Sequence, residues 1–221
     1  MSLPAPRMNS MGMGPQRHGG RRGPGKWTVL AVIFAALVTF DQATKFLAVE
    51  RLTTAFDVHG DVTLGEKLAG FYEHEHLLPY ATAPHVVWPP WWSMKYVENE
   101  GAAWGMFQNL SERVRSVFFT VISLAAVAFI VGYYRKLRRE ERYGQVALAL
   151  LLSGAVGNFI DRLARGYVVD FIDWHAGSFT WPTFNIADSC IVLGVAMLLL
   201  QPGTRKAKAP EREVEGAARG S

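Results

Sequence analysis

Four long apolar blocks constrain the fold of this 221-residue chain more than any other feature. They run from about Trp27 to Val49, Val114 to Tyr134, Tyr143 to Leu163 and Phe184 to Gln201. Each is close to the ~20 residues that an α-helix needs to cross the hydrocarbon core of a bilayer. A helix in a soluble protein is rarely apolar on every side over such a length. The pattern predicts an all-α integral membrane protein with four transmembrane helices.

The Lys and Arg residues indicate how these helices are oriented. An even number of crossings puts three segments on one side: the N-terminal stretch up to Lys26, the hairpin 135–142 and the C-terminal tail. These segments hold 15 of the 23 Lys and Arg residues but only five of the 19 acidic residues. Because loops rich in Lys and Arg remain in the cytoplasm, we expect both termini to be cytoplasmic.

Composition predicts a single membrane-embedded domain at residues 26–203. Residues 1–25 are rich in Gly, Pro, Met and Arg and are expected to form a disordered basic tail, and residues 204–221 a disordered cytoplasmic tail. The six histidines and the single Cys190 offer neither a disulfide framework nor zinc-ligand spacing. Cys190 is interpreted as a small core residue.

The first outer loop, residues 50–113, is long and mixed in composition. Phe56, Val58, Val62 and Leu64 alternate around Gly60, which predicts a hairpin and hence a small β-containing outer subdomain. In the second outer segment, the run 167–172 is expected to be extended.

The first outer loop also contains the run Glu73-His-Glu-His76, whose histidines would lie on one side of a strand and could bind a metal. With no third ligand in view, we interpret this run as a solvated loop and expect no metal site.

Polar residues that border the apolar blocks collect at one depth, near the outward helix ends. They are Asp41, Lys45, Asn158, Asp161, Arg162, Arg165, Asp170, Asn185 and Asp188. A charged side chain costs ~2.5–3.5 kcal/mol at the centre of a membrane helix, and less near its ends, so such residues usually face the bundle and usually have a function. This clustering predicts a functional site at the outer boundary of the membrane.

Ion pairing at helix ends would also explain part of the cluster. Asp161 could pair with Arg162 and Asp41 with Lys45, and the cations could reach outward to water; Lys45 and Arg165 fit this interpretation as well as a functional one. Asp188 fits it less well, because ten apolar residues follow from Ile191. A helix N-terminus would stabilise that carboxylate, and this would suit a catalytic acid equally well.

Two carboxylates in a site of low dielectric constant cannot both ionise easily, so the pKa of one rises and the pair holds a shared proton. The ionised member can activate water while the protonated member polarises a carbonyl group, as in aspartic proteases. Intramembrane proteolysis is therefore one candidate function of the cluster. A proton-coupled transporter or channel is another, although no internal repeat is visible. A non-catalytic membrane scaffold is a third.

Four stretches of the sequence resemble the lipoprotein signal peptidases, or signal peptidase II. They are Asp41-Gln-Ala-Thr-Lys45, Asn99-Glu-Gly-Ala-Ala-Trp-Gly105, the run from Gly157-Asn-Phe-Ile-Asp-Arg162 through Gly166-Tyr-Val-Val-Asp-Phe-Ile172, and Phe184-Asn-Ile-Ala-Asp188. They occur in the order of the family, and the last two keep its spacing. The interval between Lys45 and Asn99 is longer than the family leads us to expect, with an insertion at about 57–92.

The resemblance implies an aspartic endopeptidase that cleaves prolipoproteins on the amino side of a diacylglyceryl-modified cysteine. It assigns the catalytic pair to Asp170 and Asp188. It implies supporting or substrate-binding roles for a further set of residues, which are Asn99, Asn158, Arg162, Asn185, Asp161, Asp41 and Lys45.

The resemblance also implies a setting for the enzyme. It places the protein in the bacterial inner membrane, with the site at the periplasmic face. Its implied partners are prolipoproteins and membrane lipid, with no metal, cofactor or nucleic acid. We expect the chain to act as a monomer.

Overall fold

The computed structural model describes residues 23–57, 62–73, 76–101 and 111–200. The four apolar blocks form helices, which are α1 (Lys26–Leu52), α3 (Glu112–Lys136), α4 (Arg142–Arg165) and α5 (Ile186–Leu199). A short helix, α2 (Leu64–Phe71), lies in the first outer loop. Both predicted tails lie outside the described residues except for residues 23–25. His74 and residues 102–105, the second half of the run that begins at Asn99, also lie outside them.

Within the described residues, three helices are long and apolar enough to cross a membrane: α1, α3 and α4. Helix α5 has 14 residues, which is about 21 Å at ~1.5 Å per residue and shorter than a typical hydrocarbon core. It begins two residues later than predicted, because Phe184 instead pairs with Ile172 through backbone hydrogen bonds of 3.1 and 2.8 Å. The fourth crossing therefore remains a prediction.

The segments that connect the helices form a four-stranded antiparallel sheet. Its strands, in spatial order, are β1 (His85–Trp88), β2 (Trp92–Asn99), β3 (Val168–Ala176) and β4 (Phe179–Thr180). The predicted small β-structure is confirmed, but its assignment to the first outer loop alone is wrong, since β3 and β4 come from the second outer segment. Strand β3 follows α4 directly, after Gly166 ends that helix with a φ of 82°.

The hairpin predicted around Gly60 is wrong for the residues that the structure describes. Phe56 lies in a turn and Leu64 begins α2. The Thr63 side chain accepts a hydrogen bond from the Glu66 amide at 3.3 Å, and Glu66 accepts one from the Thr63 amide at 2.7 Å. This capping box favours a helix start over a strand. Val58 and Gly60 lie outside the described residues.

An apolar cluster fixes the inserted segment to the C-terminal end of α1 and to the sheet. It includes Val49, Leu52, Phe71, Tyr96 and Phe171, all of them buried. Because the same cluster contains residues of β3, it holds that strand against the end of the helical bundle.

Helices α4 and α5 pack closely because glycines leave room between them. A Cβ atom on Gly154 would lie 2.3 Å from the carbonyl oxygen of Ala187 and 2.7 Å from Cγ1 of Ile191. On the other helix, a Cβ atom on Gly194 would lie 2.8 Å from the carbonyl oxygen of Ala147. The backbones approach each other as they do in other membrane proteins with small residues at a helix contact. Helix α5 is therefore held where its N-terminus meets α1 and β3.

We predict that Gly154→Ala destabilises the protein by about 1–3 kcal/mol, because a backbone oxygen cannot yield as a side chain can. Gly132→Ala is the matched control, since a Cβ atom there would meet nothing within 4 Å. The control should be neutral or up to ~1 kcal/mol more stable, because alanine favours helix over glycine. Thermal unfolding in detergent measures both, and equal melting temperatures would contradict the packing role of Gly154.

Candidate active site

The first turn of α5 presents Asp188 through a helix cap. Asn185 is the N-cap residue: its side-chain oxygen accepts a hydrogen bond from the Asp188 amide at 2.9 Å, and Asp188 accepts one from the Asn185 amide at 3.3 Å. This reciprocal arrangement is a capping box. The positive end of the helix dipole favours a negative charge at this position. Asp188 is half-buried, so water can reach its carboxylate.

Asp170 lies on β3 and is almost completely buried, at 1% exposure. Its carboxyl oxygens accept hydrogen bonds from the side-chain amides of Asn185 at 2.7 Å and of Asn99, on β2, at 2.9 Å. Burial, and then the negative charge of Asp188, raise the pKa of Asp170 to about 8, although both amides and the Lys45 charge oppose the rise. Near neutral pH, Asp170 therefore retains a proton.

Two asparagine amides connect the carboxyl groups. Asn185 donates both to Asp170 and to the side-chain oxygen of Asn158, the latter at 3.1 Å. Asn158 in turn donates to Asp188 at 2.7 Å. Asp170 and Asp188 thus belong to one hydrogen-bonded unit built from β3, α4 and the start of α5, and charge on one carboxyl group is felt by the other.

A buried ammonium group supports this unit from α1. Lys45 is fully buried, and its Nζ lies 2.8 Å from Asp41 and 2.9 Å from Asp161. The same Nζ donates to the oxygen of Asn158 at 3.0 Å, which orients that amide with its NH₂ group toward Asp188. Lys45 and Asp41 therefore form a buried ion pair, and Lys45 does not reach outward to water.

Asp41 also binds α5 directly. One carboxylate oxygen accepts a hydrogen bond from the Ala187 amide at 2.9 Å, which satisfies a free N–H group in the first turn of the helix. Gly157 makes room for this carboxylate, since a Cβ atom there would lie 2.6 Å from Asp41 Oδ2.

The partner of Asp161 differs from the one considered in the sequence. Asp161 pairs with Arg165, one turn further along α4, and accepts a hydrogen bond from the Val169 amide at 3.3 Å. Arg162 instead donates to the carbonyl oxygen of Gly101 at 3.4 Å, and its guanidinium lies 4.9 Å from the centre of the Phe119 ring. The interpretation of Asp161 and Arg162 as an ion pair is therefore wrong.

Arg162 has a hydrogen-bond donor that could bind a further group. Its buried Nε has no hydrogen-bond partner within the described part of the chain. A planar guanidinium with a free donor can orient a peptide carbonyl.

Gln42 completes the cluster and is absent from the set of predicted site residues. Its side-chain amide donates to Asp161 at 2.9 Å, to Asp41 at 3.1 Å and to the carbonyl oxygen of Gly157 at 3.2 Å. Its position between Asp41 and Lys45, at the same depth of an apolar helix, was the signal available in the sequence.

The predicted site residues thus fall into two contiguous groups. The first surrounds the two carboxyl groups and consists of Asn99, Asn158, Asp170, Asn185 and Asp188. The second is the ion cluster of Asp41, Lys45, Asp161 and Arg165, with Gln42. Asn158 contacts both groups, through Asp188 in the first and Lys45 in the second. Arg162 stands beside the first group without a direct bond to either carboxyl group among the described contacts.

The possible metal site in the first outer loop stays untested. His74 and Glu75 lie outside the described residues, and His76 contacts Glu98 at 2.6 Å and stacks on Tyr167. Among the residues that the structure describes, no group of three or more His, Cys, Asp or Glu side chains could hold a metal ion.

Comparisons with known proteins identify the class of membrane protein to which this site belongs. The profile of the family described as Signal peptidase (SPase) II matches residues 33–202. The chain is 64% identical over 190 residues to the lipoprotein signal peptidase of Anaeromyxobacter sp. (strain Fw109-5), covering 85% of this chain and 90% of that protein. It is 35% identical over 174 residues to the lipoprotein signal peptidase of Geobacter metallireducens, covering 79% and 90%.

A solved structure agrees with these sequence matches. It is described as a bacterial membrane enzyme studied by the in meso method at 2.3 Å resolution, and it superposes with a TM-score of 0.58 at 30% identity, covering 82% of this chain and 93% of that one. The chain is a membrane protease, and it belongs to the signal peptidase II family.

Proposed function

We propose that this protein removes signal peptides from prolipoproteins, cutting on the amino side of a diacylglyceryl-modified cysteine. Asp170 and Asp188 are the proposed catalytic residues. The observation that carries this proposal is the hydrogen-bonded unit in which Asn185 and Asn158 connect a buried, proton-holding Asp170 to a half-buried Asp188. Family membership and the names of the relatives supply the substrate class. They do not favour a transporter or channel.

The two carboxyl groups divide the chemistry between them. Asp188, ionised at the helix N-terminus, takes a proton from water as the water oxygen attacks the scissile carbonyl carbon. Asp170 gives its proton to the carbonyl oxygen, which becomes the hydroxyl of a tetrahedral intermediate. When the C–N bond breaks, the new cysteine amine takes the proton from Asp188. The hydroxyl proton returns to Asp170, and the pair is restored.

The remaining site residues support this chemistry. Asn99 and Asn185 hold the Asp170 carboxyl group, and Asn158 orients Asp188. Asp41, Lys45 and Asp161 fix the helices that carry these residues. Arg162, with a free buried donor, is proposed to orient the peptide backbone of the substrate. This mechanism uses one copy of the chain and no metal or cofactor.

The proposed location is the bacterial inner membrane, with the site at the periplasmic face. The excess of Lys and Arg in the hairpin 135–142 and in both terminal segments supports a cytoplasmic location for them. That orientation requires α5 to cross as well. Its described residues are almost entirely apolar, and thinning of the bilayer can accommodate a short helix at modest cost.

We predict that Asp170→Asn and Asp188→Asn each abolish cleavage of a diacylglyceryl-modified precursor by the purified protein in detergent. Each change removes either the acid or the base of the pair, while the amide keeps the shape of the side chain. Mass spectrometry of the product gives turnover, and thermal unfolding confirms that each variant is folded. Near-wild-type turnover in either folded variant would refute the aspartic mechanism.

The same mechanism sets a pH dependence. Burial and the charge of Asp188 raise the pKa of Asp170 to about 8, so this acid holds its proton below that pH and loses it above. Activity that needs the proton should therefore fall as the pH rises through about 8. An activity that stays level well above this range would contradict the assignment of Asp170 as the acid.

The orientation predicts the side on which reporters are found. A reporter inserted between Arg138 and Arg139, or fused after Gln201, should be cytoplasmic, whereas one inserted near Gly60 should be external. An external signal after Gln201 alone would show that α5 does not cross. An external signal from the hairpin would reverse the whole topology.

Lipid is expected to select the substrate more strongly than peptide sequence does. A scissile bond must be held at the membrane depth of the site, and two acyl chains anchor firmly because each buried methylene contributes ~0.8 kcal/mol. The exposed rings of Trp174 and Trp181 on the outer side favour a membrane interface. The test compares one precursor with and without its diacylglyceryl group in matched micelles, and equal cleavage rates would refute lipid-directed positioning.

A further inference from the structure

We propose that Arg165 is a positioning residue for the peptidase reaction, connecting the inserted helix α2 to the candidate catalytic pair through Asp161, Lys45 and Asn158. This inference rests on the proposed function. It assigns a role to an arginine outside the catalytic and supporting set, and to the end of an insertion that the enzyme's chemistry does not by itself require.

Arg165 is held on two sides at once. It lies in the last turn of α4 with 1% of its surface exposed. One arm of its guanidinium donates to the carbonyl oxygen of Phe71 at 2.8 Å, and the other pairs with Asp161. The face of the group lies 4.1 Å from the centre of the Phe71 ring and 5.5 Å from that of Tyr72. A fork of this shape can bind a carbonyl and a carboxylate together, which a lysine cannot do.

The Asp161 carboxylate connects Arg165 to the proposed catalytic pair through two sets of contacts. One oxygen binds the ammonium group of Lys45, which orients Asn158 and through it Asp188. The same oxygen accepts a hydrogen bond from the backbone amide of Val169, the residue before Asp170 in β3. A shift of Asp161 would therefore displace groups on both sides of the proposed reaction centre.

The inserted segment is fixed where it meets Arg165. Phe71 is 1% exposed and packs edge-on against Phe46 of α1, with ring centres 5.5 Å apart. The Tyr72 hydroxyl donates to the side-chain oxygen of Gln42 at 3.2 Å, and Gln42 itself donates to Asp161. The end of α2 thus contacts the ion cluster twice, and its rings pack on the buried guanidinium of Arg165.

Removing the guanidinium should loosen this arrangement without removing any catalytic group. Asp161 would keep Lys45 as its charged partner, and the ammonium would be drawn toward Asp161 and Asp41. The 3.0 Å bond from Lys45 to Asn158 would weaken, and the amide beside Asp188 would lose its fixed orientation. A role limited to fold stability predicts a different result, namely a lower melting temperature with unchanged chemistry per folded molecule.

The test measures kcat and KM per folded molecule for Arg165→Met and Arg165→Lys with the lipidated precursor in detergent. For Arg165→Met, kcat should fall by roughly 10- to 100-fold with little change in KM, because displacement of distant supporting groups acts on the chemical step. Arg165→Lys restores the charge without the fork and should recover part of kcat.

The pH profile gives an independent readout. Lys45 opposes the rise in the pKa of Asp170. A second buried cation close to Lys45, such as Arg165, is expected to favour the ionised carboxylate in the same way. With Arg165→Met, the fall in activity at alkaline pH should move to higher pH, and with Arg165→Lys it should return toward the wild-type position. A loss of folded protein alone changes neither kcat per folded molecule nor the pH at which activity falls on the alkaline side.

Lys67→Met is the matched control. Lys67 also ties α2 to α1, through Glu50 at 2.9 Å, but this pair is partly exposed and touches neither Asp161 nor Arg165. Its kcat and pH profile should be those of the wild type. If Arg165→Met fails to fold, Phe71→Leu keeps the arginine and removes the ring on which it stacks, together with the contact of that ring to Phe46. It should lower kcat in the same direction by less.

Wild-type kcat and an unmoved alkaline limb in the folded Arg165 and Phe71 variants would overturn this inference and leave the proposed function intact. Absence of cleavage by the wild-type protein, with a precursor that a related lipoprotein signal peptidase cleaves under the same conditions, would overturn the proposed function itself. The two failures are therefore distinguishable.

Discussion

The buried ammonium group of Lys45 is the interaction on which the rest of the site depends. It lies between Asp41 and Asp161, with no exposed surface, at the level where three helices meet. An unpaired charge at this depth would be costly, so each member of the cluster requires the others. Because Asp41 also binds the first turn of α5, the positions of α1, α4 and α5 are set by one charge cluster together with the glycine contacts of α4.

This cluster determines geometry at the proposed reaction centre without taking part in it. Lys45 and Asn185 both donate to the oxygen of Asn158, so the amide has a single favourable orientation, with its NH₂ group on Asp188. Asn185 is used in three ways, as the cap of α5, as a donor to Asp170 and as a donor to Asn158. Rotation of either carboxyl group would break bonds that the neighbouring helices hold in place.

The sequence predicted the site better than it predicted the structure around it. Charged and amide side chains in apolar helices are costly in free energy unless they have partners. Their shared depth therefore indicated that they contact one another, and Asp41, Asn158 and Asp161 all contact Lys45. The partner of Asp161 could not be predicted, because Arg162 and Arg165 are both within reach on one helix. Only the position of Phe71, from a distant loop, shows why Arg165 is the one turned inward.

The outer loop shows why the predicted hairpin and the predicted origin of the β-structure were wrong. Apolar alternation between Phe56 and Leu64 is compatible with a hairpin, but the local signal of Thr63 and Glu66 was that of a helix cap. Strand β2 is defined by its pairing with β3, a distant segment of the chain, as in the pair of Asn99 with Val168. Such pairing depends on contacts that no local pattern encodes, and a strand of this kind is recognised only when its partner is known.

The two carboxyl groups differ in surroundings although their residue type is the same, and this difference supports separate roles in the proposed mechanism. Asp170 is enclosed by β2, β3 and Asn185, and burial is the largest cause of its raised pKa. Asp188 stands in the first turn of a helix, half-exposed, with an amide from its own cap and one from Asn158. The surroundings of Asp170 disfavour charge, and the helix N-terminus favours it. In the proposed mechanism, Asp170 is therefore the member that carries the proton, and Asp188 is the member that activates water.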